Sequence, residues 1–494
     1  MKRMKKLASL VLALAMVFAM TITVAAARDG SITMNGTVAG KSYELYKIFD
    51  LTYTGTTDVK VAYTIDPDWA DFFGTDGAGY IVDTDSTGSL NPIIVGDKTR
   101  YINITDSNVE AFSQAALSYA VTATADKTVT AAGTTTEVTG LDLGYYLMYP
   151  VGAADKLENR GCLCSLTSTT PNGTVDIKAT YPTITKTDDK VSADVGEAVN
   201  YTITGKVPDT TGYTAYTYTI KDTMSAGLTF DQEDVTVKIL EADSNGDKLL
   251  VKDTDYTYTQ TDNGFELTIK VTDLQAYVEK AIQVTYAATV NDQAVTKIEK
   301  NSATLTYSNN PADDTKTETT AEVEENVYSS KIVIDKYAAN DDTNKLSGAT
   351  FVLYKYDTDN TTKLYYKYTA ATETAPAKVE WVTDASDGTS KTTDDTGAAS
   401  FDGLADGTYY LEETEAPEGY NKLDEDVAVT VDGSEATSTN ATSLTVTKEI
   451  ENKTGSMLPS TGGIGTKIFY VAGGILVVAA AVLLITRKRM SIEK

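Results

Sequence analysis

Lys331-Ile332-Val333-Ile334-Asp335-Lys336 alternates in side-chain character along its length. Successive strand residues face opposite ways, so Ile332, Ile334 and Lys336 share one face, while Lys331 and Asp335 take the other. The run predicts a strand whose core-facing row ends in a lysine amine. Burial in an apolar sandwich disfavours the charged amine and lowers its pKa, which leaves a neutral nucleophile.

Runs of this kind recur on both sides, as in Tyr201-Thr202-Ile203-Thr204. Turn signals separate them, including Asn263-Gly264, Asp387-Gly388 and Asp406-Gly407. Short strands at this spacing predict an all-β protein of tandem immunoglobulin-like β-sandwich domains. One helix is expected. Ser107-Asn108-Val109-Glu110 reads as its capping box, and Val109, Phe112, Ala116 and Leu117 line one face to about Ala120. The proline of Tyr181-Pro182-Thr183 and the acidic stretch from Asn309 to Asn326 mark two boundaries. The expected domains are therefore 28–182, 183–326 and 327–454, followed by a C-terminal segment, 455–494.

The two ends have their own logic. Lys2, Arg3, Lys5 and Lys6 precede an apolar run from Leu7 to about Val24 and then Ala25-Ala26-Ala27. This predicts a signal peptide, 1–27, cut after Ala27. At the other end stand Leu458-Pro459-Ser460-Thr461-Gly462, an apolar stretch from Ile468 to Ile485, and Arg487-Lys488-Arg489. The stretch is long enough to predict a transmembrane helix, with the basic cluster left in the cytoplasm. Nine of the 42 basic residues and one of the 70 acidic residues lie outside 28–461. That leaves 33 against 69, a net charge of −36 for the exported part. Binding of nucleic acid is disfavoured.

The chain contains no histidine, which removes the commonest general base and the commonest metal ligand. Its two cysteines, Cys162 and Cys164, give no disulfide framework and read as small core residues of a strand. Asp243-Ser244-Asn245-Gly246-Asp247 has alternating oxygens but no closing glutamate at the spacing of a calcium loop, so it reads as a hairpin turn. No cofactor and no metal site is expected.

Several motifs carry a resemblance to known families. The pentapeptide, apolar stretch and basic tail together resemble the cell-wall sorting signal of Gram-positive bacteria. That implies cleavage between Thr461 and Gly462 by a sortase. Tyr409-x-Leu411-x-Glu413-Thr414-x-Ala416-Pro417-x-Gly419-Tyr420 resembles the E-box of Cna-B-type domains, as do Lys331 to Lys336 and Leu346 to Tyr354. The resemblance implies a spontaneous amide between Lys336 and Asn452, promoted by Glu413. Residues 182–186, 196–203, 220–228 and 301–305 resemble the fimbrial isopeptide-forming D2 domain. This implies an amide between Lys186 and Asn301, with Asp222 as the acid and Lys190 as the rival nucleophile. The chemistry needs these groups: a buried carboxyl with a raised pKa can polarise a carboxamide and move protons as ammonia leaves.

The first domain shares a shorter repeat with the third. Leu141-Asp142-Leu143-Gly144-Tyr145-Tyr146-Leu147 is similar to Leu404-Ala405-Asp406-Gly407-Thr408-Tyr409-Tyr410-Leu411. Setting Leu147 on Leu411 puts Tyr149 where Glu413 stands, so no such amide is expected there. The whole order resembles the major-pilin (fimbrial shaft) family. The implied partners are a class C and a housekeeping sortase, other pilin subunits, peptidoglycan and a host surface or matrix ligand. Shaft pilins usually offer a lysine after Tyr-Pro, but Thr183 stands here. Lys178, in Val175 to Thr180, is the nearest candidate for the polymerising amine. A non-polymerised adhesin or basal pilin is the alternative, and a surface enzyme the second.

Overall fold

A computed structural model describes residues 30–54, 60–155, 161–244, 246–311, 313–455 and 464–490. The expected signal segment with Ala27, and the pentapeptide Leu458 to Gly462, lie outside the described residues. The described chain is mostly strand, arranged around three apolar cores.

The first core spans Ile32 to Ile177. Gly30–Asn35 pairs between Asn172–Asp176 and Thr135–Leu141 in a small sheet. A larger sheet is built on Ser42–Thr54, which pairs with Gly144–Pro150 and Lys60–Ile65. The expected helix forms at Val109–Ala120 and buries Phe112, Ala116, Leu117 and Ala120. Its cap differs from the sequence reading. Asn108, not Ser107, is the N-cap, and its Oδ1 accepts from the N–H of Thr105 at 2.7 Å, outside the helix. Asparagine at this place stabilises the incoming loop, so the box with Glu110 does not form.

The second core spans Ile184 to Val327, between two sheets. One sheet runs Thr185–Asp188, Ala198–Lys206, Ala281–Val290, Leu228–Asp243, Gly246–Leu249. The other contains Tyr256–Thr261, Gly264–Ile269, Tyr218–Met224 and Lys297–Ser308. The Asp243 segment forms a hairpin: Asp243 pairs directly with Gly246, and the Asp247 carboxylate accepts from Lys238 Nζ at 3.0 Å.

The third core spans Ile332 to Ile450, again between two sheets. What joins it to the second is a single strand, Val323–Ala338. Its first part, to Ser329, pairs with Lys297–Ser308. From Ser330 onward it pairs with Ala398–Leu404, and from Lys331 also in parallel with Thr445–Asn452. The expected boundary between Asn326 and Val327 thus falls inside a strand, and Val327 packs in the second core. The register changes hands at Ser329 and Ser330, both fully buried. Short polar and acidic residues before Val323 mark a return loop, not a linker, because the chain must still complete the second sheet. Asp194 tightens the same junction. Its carboxylate accepts from Trp381 Nε1 at 2.7 Å and from the N–H of Ala405 at 2.8 Å.

A C-terminal helix runs Ile464–Met490, and its large apolar side chains from Tyr470 to Ile485 are exposed.

Candidate functional sites: two buried lysine–asparagine clusters

In the second core, strand alternation aims four polar side chains into an apolar interior. Lys186 and Tyr286 come from one sheet, through the pairings Lys186↔Ile203 and Tyr201↔Tyr286. Asp222 and Asn301 come from the facing sheet, as diagonal neighbours set by Asp222↔Ala303 and Met224↔Asn301. Lys186 Nζ donates to Asn301 Oδ1 at 2.7 Å, to the Tyr286 hydroxyl at 2.5 Å and, in a short contact, to Asp222 Oδ2. Asp222 and Asn301 are fully buried, and Lys186 is 6% exposed. Burial pushes the Lys186 amine below its ordinary range and the Asp222 carboxyl above its own, against their mutual attraction. Both shifts favour a neutral amine beside a protonated acid. Lys190 takes no part: its amine is bound at 2.6 Å to Glu197 in a partly exposed pair.

The third core holds a different geometry. Lys336 and Asn452 lie on neighbouring parallel strands of one sheet, set by Lys336↔Ile450 and Ala338↔Asn452. Glu413 reaches across from the facing sheet, on Gly407–Glu415. Asn452 Nδ2 donates to both Glu413 oxygens at 3.0 Å and to the carbonyl of Asn421 at 2.7 Å. Glu413 Oε2 also accepts from the N–H of Leu423 at 2.8 Å. Lys336 Nζ donates to the Ile450 carbonyl at 3.0 Å, so amine and carboxamide share a face without a direct hydrogen bond. Asn452 Oδ1 is buried and has no hydrogen-bond partner among the described residues. The backbone of Lys336 is clamped by Gly397. The turn there needs φ +77°, and a Cβ would lie 2.3 Å from the Lys336 carbonyl oxygen.

Burial lowers the Lys336 amine to about 8, with Glu413 opposing. An unfolded lysine keeps its proton to about 10.5, so between these values the unfolded state binds more protons. An Asn452→Ala chain, which retains the amine and cannot form the amide, should therefore gain stability as pH rises from 8 to 10.5. The gain is about 3 kcal/mol at most, read from denaturant midpoints. A wild-type chain whose lysine is already acylated should lack that slope. Equal slopes in the two chains would contradict the reading.

Residues 195–311 match the Gram-positive pilin backbone subunit 2, Cna-B-like domain, and residues 330–445 match the SpaA prealbumin-like fold domain. Residues 450–491 match the LPXTG cell wall anchor motif. Two stretches of the chain thus match pilin-type domain models, and its C-terminal stretch matches a wall-anchor model. Over 182 residues it is 32% identical to the fimbrial subunit type 1 of Actinomyces viscosus, covering 33% of each chain. Over 310 residues it is 25% identical to the trypsin-resistant surface T6 protein of Streptococcus pyogenes serotype M6. That match covers 59% of this chain and 54% of the relative. The chain thus spans about a third and about half of the lengths of these curated relatives. In fold it is similar to the three-domain T6 backbone pilin of serotype M6 Streptococcus pyogenes, with a TM-score of 0.51 at 18% identity. That likeness covers 87% of this chain and 99% of the other.

The first domain differs from the other two. Tyr146 OH donates to the Asp142 carbonyl at 2.8 Å, and Tyr409 OH to the Ala405 carbonyl at 2.7 Å. The shared reach back of four residues pairs Tyr146, not Tyr145, with Tyr409. The position matching Glu413 therefore moves from Tyr149 to Pro150, and neither is an acid. Lys178 is exposed and lies two residues beyond the end of the strand Asn172–Asp176, not on it. Cys162 and Cys164 are on the strand Cys162–Leu166, half-buried and buried, as free thiols. Tyr286 was missed by sequence reasoning. Its alternating place in Ala281–Val290 is that of any core aromatic.

Proposed function

We propose that this chain is a structural pilus subunit, joined to others and to the cell wall by sortases, with two self-formed Lys–Asn amides. The observation that carries it is the amine of Lys186 held 2.7 Å from the Asn301 carboxamide, inside an apolar core with Asp222 in contact. A neutral amine attacks the carboxamide carbon, Asp222 assists, and ammonia leaves. Lys336, Glu413 and Asn452 do the same in the third domain. The chain then provides its own cross-links where other exported proteins use disulfides.

At the C-terminus, the helix holds the pentapeptide at the membrane surface until a sortase cleaves between Thr461 and Gly462. The threonyl carbonyl passes through a thioester to an amine. In a shaft that amine belongs to the next subunit, Lys178 being the exposed candidate. A class C sortase makes the polymer, a housekeeping sortase attaches it to peptidoglycan, and a host ligand is the target of display. Thr183, in place of lysine after Tyr181-Pro182, favours the second reading: a wall-anchored adhesin or basal pilin that is not polymerised.

Intact-mass measurement of the exported chain should find it two ammonia masses lighter than its sequence. Wall extracts should give an SDS-resistant ladder that Lys178→Ala collapses. A full-mass chain would contradict the amides. A single monomer band would leave the adhesin reading in place of the shaft.

A further inference from the structure

Tyr286 touches all three members of the second-domain cluster. Its hydroxyl accepts from Lys186 Nζ at 2.5 Å and from Asn301 Nδ2 at 3.1 Å, and donates to Asp222 Oδ2 at 2.5 Å. Asp222 Oδ2 contacts the amine and the tyrosine, while Asp222 Oδ1 is buried without a hydrogen-bond partner among the described residues. Asn301 Nδ2 thus meets the Tyr286 hydroxyl, and Asp222 Oδ2 reaches it through that hydroxyl. The third domain offers the contrast. There the acid is a glutamate, one methylene longer, and both its oxygens lie 3.0 Å from Asn452 Nδ2. A short acid plus a tyrosine in one domain spans what a long acid spans alone in the other.

We infer that Tyr286 is a catalytic residue of the second domain, relaying a proton from Asp222 to the departing nitrogen of Asn301. The inference rests on the amide-forming reading given above. Nζ of neutral Lys186 adds to Cγ of Asn301, forming the C–N bond and moving the carbonyl electron pair to Oδ1. Asp222, protonated at the outset, gives its proton to the Tyr286 oxygen as Tyr286 gives its own to Nδ2, and the carboxylate left behind takes the proton that Nζ gives up. The carbonyl re-forms, the Cγ–Nδ2 bond breaks and ammonia leaves. One proton is lost at Nζ and one gained at Nδ2, and no water, oxidant or reductant is consumed. Burial holds the phenol well above its ordinary range, so the hydroxyl is neutral between turns of the relay. Its ring is held independently, stacked on Tyr201 at 5.6 Å and edge-on to Phe265 at 5.1 Å. Removing the oxygen therefore leaves the packing in place.

The test uses the full exported chain, made by cell-free synthesis, sampled over time and digested to count the Lys186–Asn301 cross-linked peptide. Tyr286→Phe should slow its appearance on the order of 100-fold, the scale of a lost general acid–base group. Asp222→Glu combined with Tyr286→Phe should recover much of the rate, because the longer acid reaches Nδ2 itself. Wild-type speed in Tyr286→Phe would overturn the relay and leave the amide reading intact. Wild-type chain with no cross-link at Lys186 would overturn both. Folding is checked without the bond: Lys186→Met and Lys186→Met/Tyr286→Phe should melt alike. A much lower melting double variant would assign the hydroxyl to packing and overturn the relay.

Discussion

Asp222→Ala is expected to abolish the Lys186–Asn301 amide and to cost the second domain more stability than loss of the bond alone. Two effects add. The proposed bond would close a loop of 115 residues, and by analogy with a disulfide of that span it would be worth about 4–5 kcal/mol. The substitution also leaves the Lys186 amine in a pocket where its remaining side-chain partners are Tyr286 and Asn301. Breaking a buried pair by removing one partner costs about 3–5 kcal/mol, less whatever the amine recovers by losing its proton. Lys186→Met separates the two, because it removes the bond and the charge together. Asp222→Ala should therefore unfold at a lower denaturant midpoint than Lys186→Met, and both chains should keep the ammonia. An Asp222→Ala chain that still lost ammonia there would contradict the role given to the acid.

The second large effect is expected at Glu413. Glu413→Ala removes the acceptor for Asn452 Nδ2 and for the N–H of Leu423. Each buried donor left unmet costs about 1–3 kcal/mol, and the amide is lost as well. The segment around Asn421 should also loosen, since Leu423 is one of its ties to the core. Its other ties include the Asn421 N–H bonded to Lys453 O and the Asn421 carbonyl bonded to Asn452 Nδ2. Glu413→Gln keeps an acceptor without an acid, so it should fail to form the amide yet keep the segment protected. Intact mass and limited proteolysis between Pro417 and Leu423 read the two outcomes. Equal protease sensitivity of wild type and Glu413→Ala would refute the clamp.

Much of this was legible in the sequence, for a physical reason. A lysine in phase with isoleucines, as in Lys331 to Lys336, reports its own burial because strand side chains alternate strictly. What escaped depends on contacts between strands. Tyr286 looks like a packing residue until the facing sheet supplies Asp222 and Asn301. The strand Val323–Ala338 hides a domain boundary because alternation does not break when a strand changes partners. The repeat around Gly144 was set one residue out of register, since two adjacent tyrosines offer equal matches and only the hydroxyl's bond to Asp142 chooses. Lys178 reads as strand because Val175 and Ile177 alternate, but pairing with Gly30–Asn35 stops at Asp176.

The continuous strand Val323–Ala338 has a consequence under tension. With both amides formed, a pull at Thr461 enters at Asn452 and crosses at once to Lys336. It returns along that strand and its hairpin partner to Asn301, then crosses to Lys186. Of the two linked domains, only the backbone from Asn301 to Lys336 bears the force, and everything else hangs beside it unstretched. The first domain, with no acid at Tyr149 or Pro150, is expected to lack such a bypass. In a fibre of these subunits two of the three sandwiches would be bypassed by covalent bonds, and the one left uncrossed would be expected to unfold first.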